Sequence, residues 1–452
     1  MNYLRRLGRS RYELLLILIS LILLFFSFFL QGFLPGHEGH AGPHLLSTTI
    51  NSLNFGTEFL FDEIHIGSDG VKRYSLYNHH PNFPFYLDKL LFHILNNPYY
   101  FLPAAYFKAA FLNLLGIWLI YFELIKNHNQ KTAFFAALSI LSTLHVSEFL
   151  NLATFDSYSI LSSILFFKII KNLRIEWNTR MVLSYTLYIL ILLSVSWYNH
   201  LIFYILLGLV IVDIILIRNK PFLFSNKILI FLCGVCYSTF IIIDKFTTNL
   251  EIELLGTLGP KGFVPFRIPS YSSVEIVKLL VVFLIKTAPI FFFLLLIIQR
   301  PKYDFIKRLD ILYLTPIFFV IIFFFLDIQW NLIHGFLSLY IVPFAVLMAF
   351  QSSTIKKIPR LLFWLQISFF LAVTFFSMRR DLIGSRMYTE KLQEFASFNY
   401  FSNCFIFNSD KPIQYMSEDE LPVGWNKGQL FYILSIYSDN QNECNTIISF
   451  HE

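Results

Sequence analysis

The stretch that decides the fold is Tyr12–Gln31, YELLLILISLILLFFSFFLQ, an apolar run with no charge after Glu13. At about 1.5 Å of helix rise per residue such a run reaches across a ~30 Å hydrocarbon core. Arg5, Arg6, Arg9 and Arg11 precede it, and Gln31–Pro35 at its end offers no small-x-small cleavage site. Leu14–Leu30 is also long for the apolar core of a signal peptide, so the segment reads as a retained anchor.

Working outward, comparable runs occur at Leu102–Ile125, Thr132–Glu148, Thr154–Ile170, Met181–Trp197, Leu201–Ile217, Lys227–Ile243, Ile276–Ile298, Ile311–Leu326, Ile333–Phe350 and Leu361–Phe376. The expectation is an all-α integral membrane protein with about eleven transmembrane helices. A composition of 56% hydrophobic and only 14% charged residues, with mean hydropathy +0.61, excludes a soluble domain of this length. No internal repeat of the inverted kind stands out.

Basic residues orient the chain. After the N-terminal arginines, alternate connections carry Lys126 and Lys131; Lys171, Arg174 and Arg180; Arg218, Lys220 and Lys227; Arg300, Lys302, Lys307 and Arg308; and Lys356, Lys357 and Arg360. The intervening short connections, Glu148–Phe155, Tyr198–His200 and Asp327–Leu332, carry none. By the positive-inside rule the N-terminus is cytoplasmic, and an odd helix count puts the C-terminal tail outside. The formal charge of +6 is therefore a topology signal and gives no reason to expect nucleic-acid binding.

This topology sorts the histidines. Of the twelve, only His128 falls inside, while His37, His40, His44, His65, His79, His80, His93, His145, His200, His334 and His451 fall in or beside outer segments. Imidazole suits proton exchange, metal ligation and phosphate hydrogen bonding near neutral pH, so any chemistry is expected to be extracytoplasmic. The largest outer region, 32–100, adds Glu38, Glu58, Asp62, Glu63, Asp69 and Asp88, and its Phe85–Leu95 segment has the apolar spacing of an amphipathic surface helix. A second outer loop, Asp244–Glu275, holds Lys261 and Arg267.

The chain thus divides into a transmembrane domain, 1–376, and a small extracytoplasmic region, 377–452, with strand-like runs at Cys404–Phe407 and Thr446–Phe450. Cys404 and Cys444 share that tail, so a disulfide is expected if the compartment oxidises. Cys233 and Cys236 read as small packing residues within a helix.

Four motifs carry a resemblance. GHEGHAGPHLLSTTINSLNFG directly after the first helix, YNHHPNFPFYLDKLLFHI, SWYNHLIFYILL and IHGFLSLYIVPFAVL together resemble the lipid-dependent glycosyltransferases of the GT-C class. That class holds the protein mannosyltransferases and the RgtA/B/C/D-like bacterial enzymes. The resemblance implies an inverting transfer of a sugar from a polyprenyl-phosphate donor to a lipid, glycan or protein acceptor on the outer face of a bacterial inner membrane.

Such a donor already has a good leaving group, so the reaction needs chiefly a base for the acceptor hydroxyl and a grip on the phosphate. The second carboxyl that an inverting hydrolase uses as acid is dispensable here. By resemblance Glu38 takes the base position, where the class more often has Asp, and Asp62 and Glu63 are its rivals. His79 and His80, ahead of Pro81, are candidates for phosphate or metal contact; the class has His-Pro-Pro where this chain has His-Pro-Asn-Phe-Pro. Interfacial packing of the two rings is the plainer alternative.

Further binding candidates are His334, Arg267 and, for sugar, Asp156. Lys286, about ten residues into its apolar run, needs a partner or a function: donor phosphate, or an acid such as Asp327. His37, His40 and His44 are spaced to share a helical face beside Glu38, yet the order is not His-Glu-x-x-His, which disfavours a zinc protease. A divalent metal ion held by His37 and His40 stays open as a cofactor. A transporter or flippase of lipid-linked glycans is the rival class, and it should line its midplane with charges, whereas here the acids gather in the first outer loop. A glycan polymerase or ligase should place its main loop late in the chain.

Overall fold

The computed structural model describes residues 11–29, 45, 49, 61–66, 72–76, 81, 83–95, 98–153, 155–173, 175, 177–216, 224–254, 272–290, 292, 295, 311–326, 337–352, 358–396, 405–407 and 446–448. Among these, thirteen α-helices run in chain order: α1 (Arg11–Phe29), α2 (Phe83–Leu95), α3 (Pro98–Leu124), α4 (Gln130–Leu141), α5 (Leu144–Phe149), α6 (Ser159–Asn172), α7 (Thr179–Val195), α8 (Trp197–Leu216), α9 (Phe224–Leu254), α10 (Ser273–Thr287), α11 (Thr315–Leu326), α12 (Ser338–Ser352) and α13 (Arg360–Ala396). A 3-10 turn, Phe155–Tyr158, leads into α6, and a second, Ile311–Leu314, into α11. Five helices contain segments long and apolar enough to cross a membrane: Arg11–Phe28, Pro103–Leu124, Trp197–Ile214, Lys227–Asp244 and Arg360–Arg379. The chain is an integral membrane protein.

Caps fix several helix starts. Asn129 and Asn178, both in extended backbone, accept from the Thr132 and Met181 amides at 2.9 Å. Each thereby satisfies an amide that the first helical turn leaves open. Ser272 and Glu275 form a reciprocal capping box at α10. The core lies where α3 packs on α1, α4, α6 and α12, built on Tyr121, Phe134, Phe135, Phe166, Phe167, Tyr340 and Phe350, all fully buried. Leu183 and Leu361, each 72% exposed, are among the apolar side chains turned outward, as a lipid-facing surface requires.

At Gly116 an added Cβ would lie 2.8 Å from Ile160 Cγ2 and 2.9 Å from the Leu161 amide nitrogen, so the missing side chain is what lets α3 and α6 touch. Gly234 serves α9 in the same way against Phe203 and Ile189.

Contacts between helix ends gather several of the basic residues. The ends near Lys126, His128, Lys131, Lys171 and Lys227 meet: Lys171 reaches Glu123, Lys227 donates to the Leu173 carbonyl, the His128 ring bonds the Phe350 carbonyl, and Lys131 donates to that of Ile358. At the other end Asn113 donates to the Leu150 carbonyl and Ser377 to that of Ser147. The bundle therefore has one basic end and one opposite end.

Several expectations need correction. Thr132–Glu148 is two helices, because the Thr143 and Ser142 hydroxyls bond back to the Ser139 carbonyl and Thr143 turns extended. Ile276–Ile298 is interrupted after Thr287: Pro289 offers no amide hydrogen and forces Ala288 into extended backbone, with ψ 119°. The expected outer loop 244–275 begins as helix, since α9 runs to Leu254, and α13 runs through position 377, where the tail was expected to start, as far as Ala396.

The chain is also not wholly helical. β1 (Phe61–Ile66) pairs antiparallel with β2 (Lys72–Leu76), and β3 (Phe405–Phe407) pairs parallel with β4 (Thr446–Ile448) inside the two strand-like runs of the tail.

Candidate functional site

The opposite end of the bundle gathers the described polar chemistry. It starts with α2, whose buried stripe is Pro84, Phe85, Asp88 and Phe92, while Tyr86, Leu90 and Ile94 point outward. This is the amphipathic helix that the apolar spacing predicted, except that a carboxylate sits within the apolar face. A buried carboxylate needs a partner, and Lys108 of α3 supplies it in a direct ion pair. Burial pushes the Asp88 carboxyl above its ordinary range, and the Lys108 ammonium pulls against that rise. The pair clamps α2 onto α3 immediately after Pro81, itself buried. Asp88 also lies close enough to interact electrostatically with Tyr158, whose buried hydroxyl has no hydrogen-bond partner among the described residues.

A second pair lies on α5 and α10. Lys286 Nζ stands 3.2 Å from both Oε1 and Oε2 of Glu148. Its side chain is 37% exposed and that of Glu148 28%, so this pair is open where Asp88–Lys108 is closed. At 3.2 Å it is longer than a tight charge-assisted bond of ~2.8 Å. The break at Ala288–Pro289 explains its place: Lys286 ends a short helix packed on α5 and does not sit ten residues into a continuous span. Next to it His145 Nδ1 bonds Thr287 Oγ1 at 3.1 Å, with the Phe283 ring 5.5 Å away. Glu148 is two residues before Leu150, whose carbonyl is tied to Asn113, so both ion pairs are anchored to α3.

Two of the histidines that the sequence assigned to outer segments are packed structural groups. His145 is bound as above, and His200 bridges Ser238 Oγ at 2.7 Å and the Leu193 carbonyl at 2.6 Å, joining α8 to α9 and α7. Part of the histidine sorting is therefore packing.

Of the residues singled out in the sequence, Lys286 is described with its partner. Asp62 and Glu63 lie on β1, where Glu63 pairs with Ser75, and Asp156 lies on the 3-10 turn that contacts α3. Glu38, His37, His40, His79, His80, Arg267 and His334 lie outside the described residues. Among the described residues no group of three or more His, Cys, Asp or Glu side chains could hold a metal ion, and Cys233 and Cys236 are free thiols. Sequence reasoning did not single out Asp88, Lys108 or Glu148. A charged residue inside the apolar stripe of FYLDKLLFHI was the available signal for Asp88.

With this geometry in hand the fold can be classed: it is GT-C-like, the fold of a class of membrane glycosyltransferases. Solved structures carry that statement. ArnT from Cupriavidus metallidurans bound to undecaprenyl phosphate superimposes with TM-score 0.52 over 93% of this chain and 84% of that one, at 12% identity. Its apo form gives 0.51 over the same shares, at 14% identity. The archaeal oligosaccharyltransferase AglB from Archaeoglobus fulgidus, in complex with an inhibitory peptide and a dolichol-phosphate, is a more distant likeness, with TM-score 0.46 over 83% of this chain and 56% of that one, at 12% identity. No protein-family model matches the chain, and no curated protein does.

Proposed function

We propose that the chain is an inverting glycosyltransferase that moves a sugar from a polyprenyl-phosphate donor to a lipid, glycan or protein acceptor at the outer face of the membrane. The observation that carries this reading is the likeness, over nearly the whole chain, to ArnT bound to undecaprenyl phosphate. Fold alone does not fix function, and the site adds one supporting feature. Lys286 is held at 3.2 Å by one carboxylate, whose place a donor phosphate would take.

In this reading about eleven helices cross the membrane, with the N-terminus cytoplasmic and the C-terminal region outside. Glu38 takes the acceptor proton as C1 is attacked, and Asp62 and Glu63 are the rival bases. Lys286, His79, His80, His334 and Arg267 hold donor phosphate, and Asp156 contacts sugar. The Asp88–Lys108 clamp orients α2 and so supports the His79–His80 segment that precedes it. The transporter reading is less favoured, since a transporter should line its midplane with charges and the acids of this sequence gather in the first outer loop.

The test is sugar release from a panel of polyprenyl-phosphate sugars by the purified protein, with membrane extract as acceptor. Turnover lost in Glu38→Gln while donor binding is kept supports both class and base. Turnover indifferent to Glu38 moves the base to Asp62 or Glu63, and no turnover of any donor favours transport.

A further inference from the structure

The basic end of the bundle holds a cluster that glycosyl transfer does not use. Glu123, at the end of α3 and only 6% exposed, accepts from Lys126 at 2.5 Å and from Lys171 of α6 at 2.7 Å. One helical turn before Lys171, Lys168 is half-buried and makes no ion pair among the described residues, yet it interacts electrostatically with both Glu123 and Lys126. Two ammonium groups thus pair with one carboxylate, and Lys168 lies one turn before Lys171 on the same helix, so among these four residues lysine outnumbers acid. Positive-inside topology alone requires lysines in the connections; it does not require a lysine within α6 one turn from another that already pairs with Glu123.

The surroundings are those of a membrane boundary. Phe122 and Ile175 present exposed apolar surface nearby in the chain. Trp177, whose indole donates to the Asn172 carbonyl at 2.7 Å, closes the turn after α6, and Lys227 lies over its ring at 5.4 Å. Aromatic rings with a bonded polar tip and lysines beside apolar surface are the furniture of the headgroup level.

We propose that Lys126, Lys168 and Lys171, gathered around Glu123, bind a phosphate-bearing anion at this end of the bundle, with an anionic phospholipid headgroup as its source. The acyl chains would lie on the apolar surface beside the cluster while the phosphate bridges Lys168 and Lys171. Each lysine near an anionic membrane surface contributes a factor of about five in binding.

The experiment is native mass spectrometry of the purified full chain, counting retained phosphatidylglycerol against phosphatidylcholine. Wild type should retain the anionic lipid preferentially, Lys168→Gln should lower that preference about fivefold, and Lys168→Gln with Lys171→Gln about twenty-five-fold. Lys168→Arg should keep it, which separates charge loss from misfolding. Equal retention of the two lipids by wild type, or undiminished preference in the double variant, overturns the proposal. Displacement by millimolar inorganic phosphate would overturn the lipid as source and assign the site to a soluble phosphate. None of these readouts involves sugar turnover, so the outcome is independent of the proposed transferase activity.

Discussion

Lys286 and Glu148 meet across 138 residues of sequence, one ammonium equidistant at 3.2 Å from two carboxylate oxygens. Half-exposed pairs of this kind hold little stability, about 0–1 kcal/mol, so their worth must be sought in what they keep in place. In the proposed function Glu148 holds Lys286 in place until donor phosphate displaces it. Lys286→Met should therefore weaken undecaprenyl-phosphate binding by at least tenfold, and Lys286→Arg by little. Glu148→Gln should strengthen or preserve it, because the competing anion is gone. Binding of the lipid phosphate to the reconstituted protein checks all three. Unchanged affinity in Lys286→Met removes this lysine from the site.

The Asp88–Lys108 clamp behaves differently because Asp88 is buried. Lys108→Met leaves a buried carboxylate alone and should cost about 3–5 kcal/mol, whereas Asp88→Asn with Lys108→Met should recover most of that loss. Denaturant unfolding of the four proteins closes the cycle. A double variant as unstable as Lys108→Met would show that the lysine's aliphatic stem, and not its charge, holds α2.

Gly116 and Gly208 form an internal comparison. An added methyl at Gly116 meets the backbone of α6, which cannot shift cheaply, so Gly116→Ala should destabilise by about 1–3 kcal/mol. At Gly208 nothing lies within 4 Å, and Ala there should be neutral or stabilise by up to ~1 kcal/mol through helix propensity. Thermal unfolding in one detergent distinguishes the two signs.

In the tail, Phe405 pairs with Thr446. Cys404 and Cys444 each precede a strand by one and two residues respectively, so a bridge between them would staple the strand pair. Peptide mapping of the protein purified from an oxidising compartment without reductant should recover a Cys404–Cys444 peptide. Two free thiols would refute the bridge, and Cys233 and Cys236 should remain alkylatable in either case.

The sequence was legible where one element sufficed to determine the outcome. The apolar spacing within Phe85–Leu95 predicts α2, and the two short strands of the tail fall in runs marked by their β-formers. Hydropathy, by contrast, averages over breaks. It joined α4 to α5 across Thr143, and it carried the span beginning at Ile276 through Pro289, because one extended residue barely changes a mean over a window. The acid partners of Lys108 and Lys286 were not readable at all: 20 and 138 residues separate them from Asp88 and Glu148, and only the packing of α2 on α3 and of α10 on α5 brings them together. Glu38, His79, His80 and His334 were legible through the resemblance, and Arg267 through its charge on the outer loop.

Ser377 touches Ser147 at the rim, yet α13 continues for another five turns or so, to Ala396. At about 1.5 Å per residue that extension is a mast of roughly 30 Å, comparable to the thickness of the hydrocarbon core itself. The chain from Ser377 to Ala396 is therefore a fixed length of helix and not a slack tether. Inserting or removing whole turns between Ser377 and Ala396 would change that length in fixed steps of about 5.4 Å.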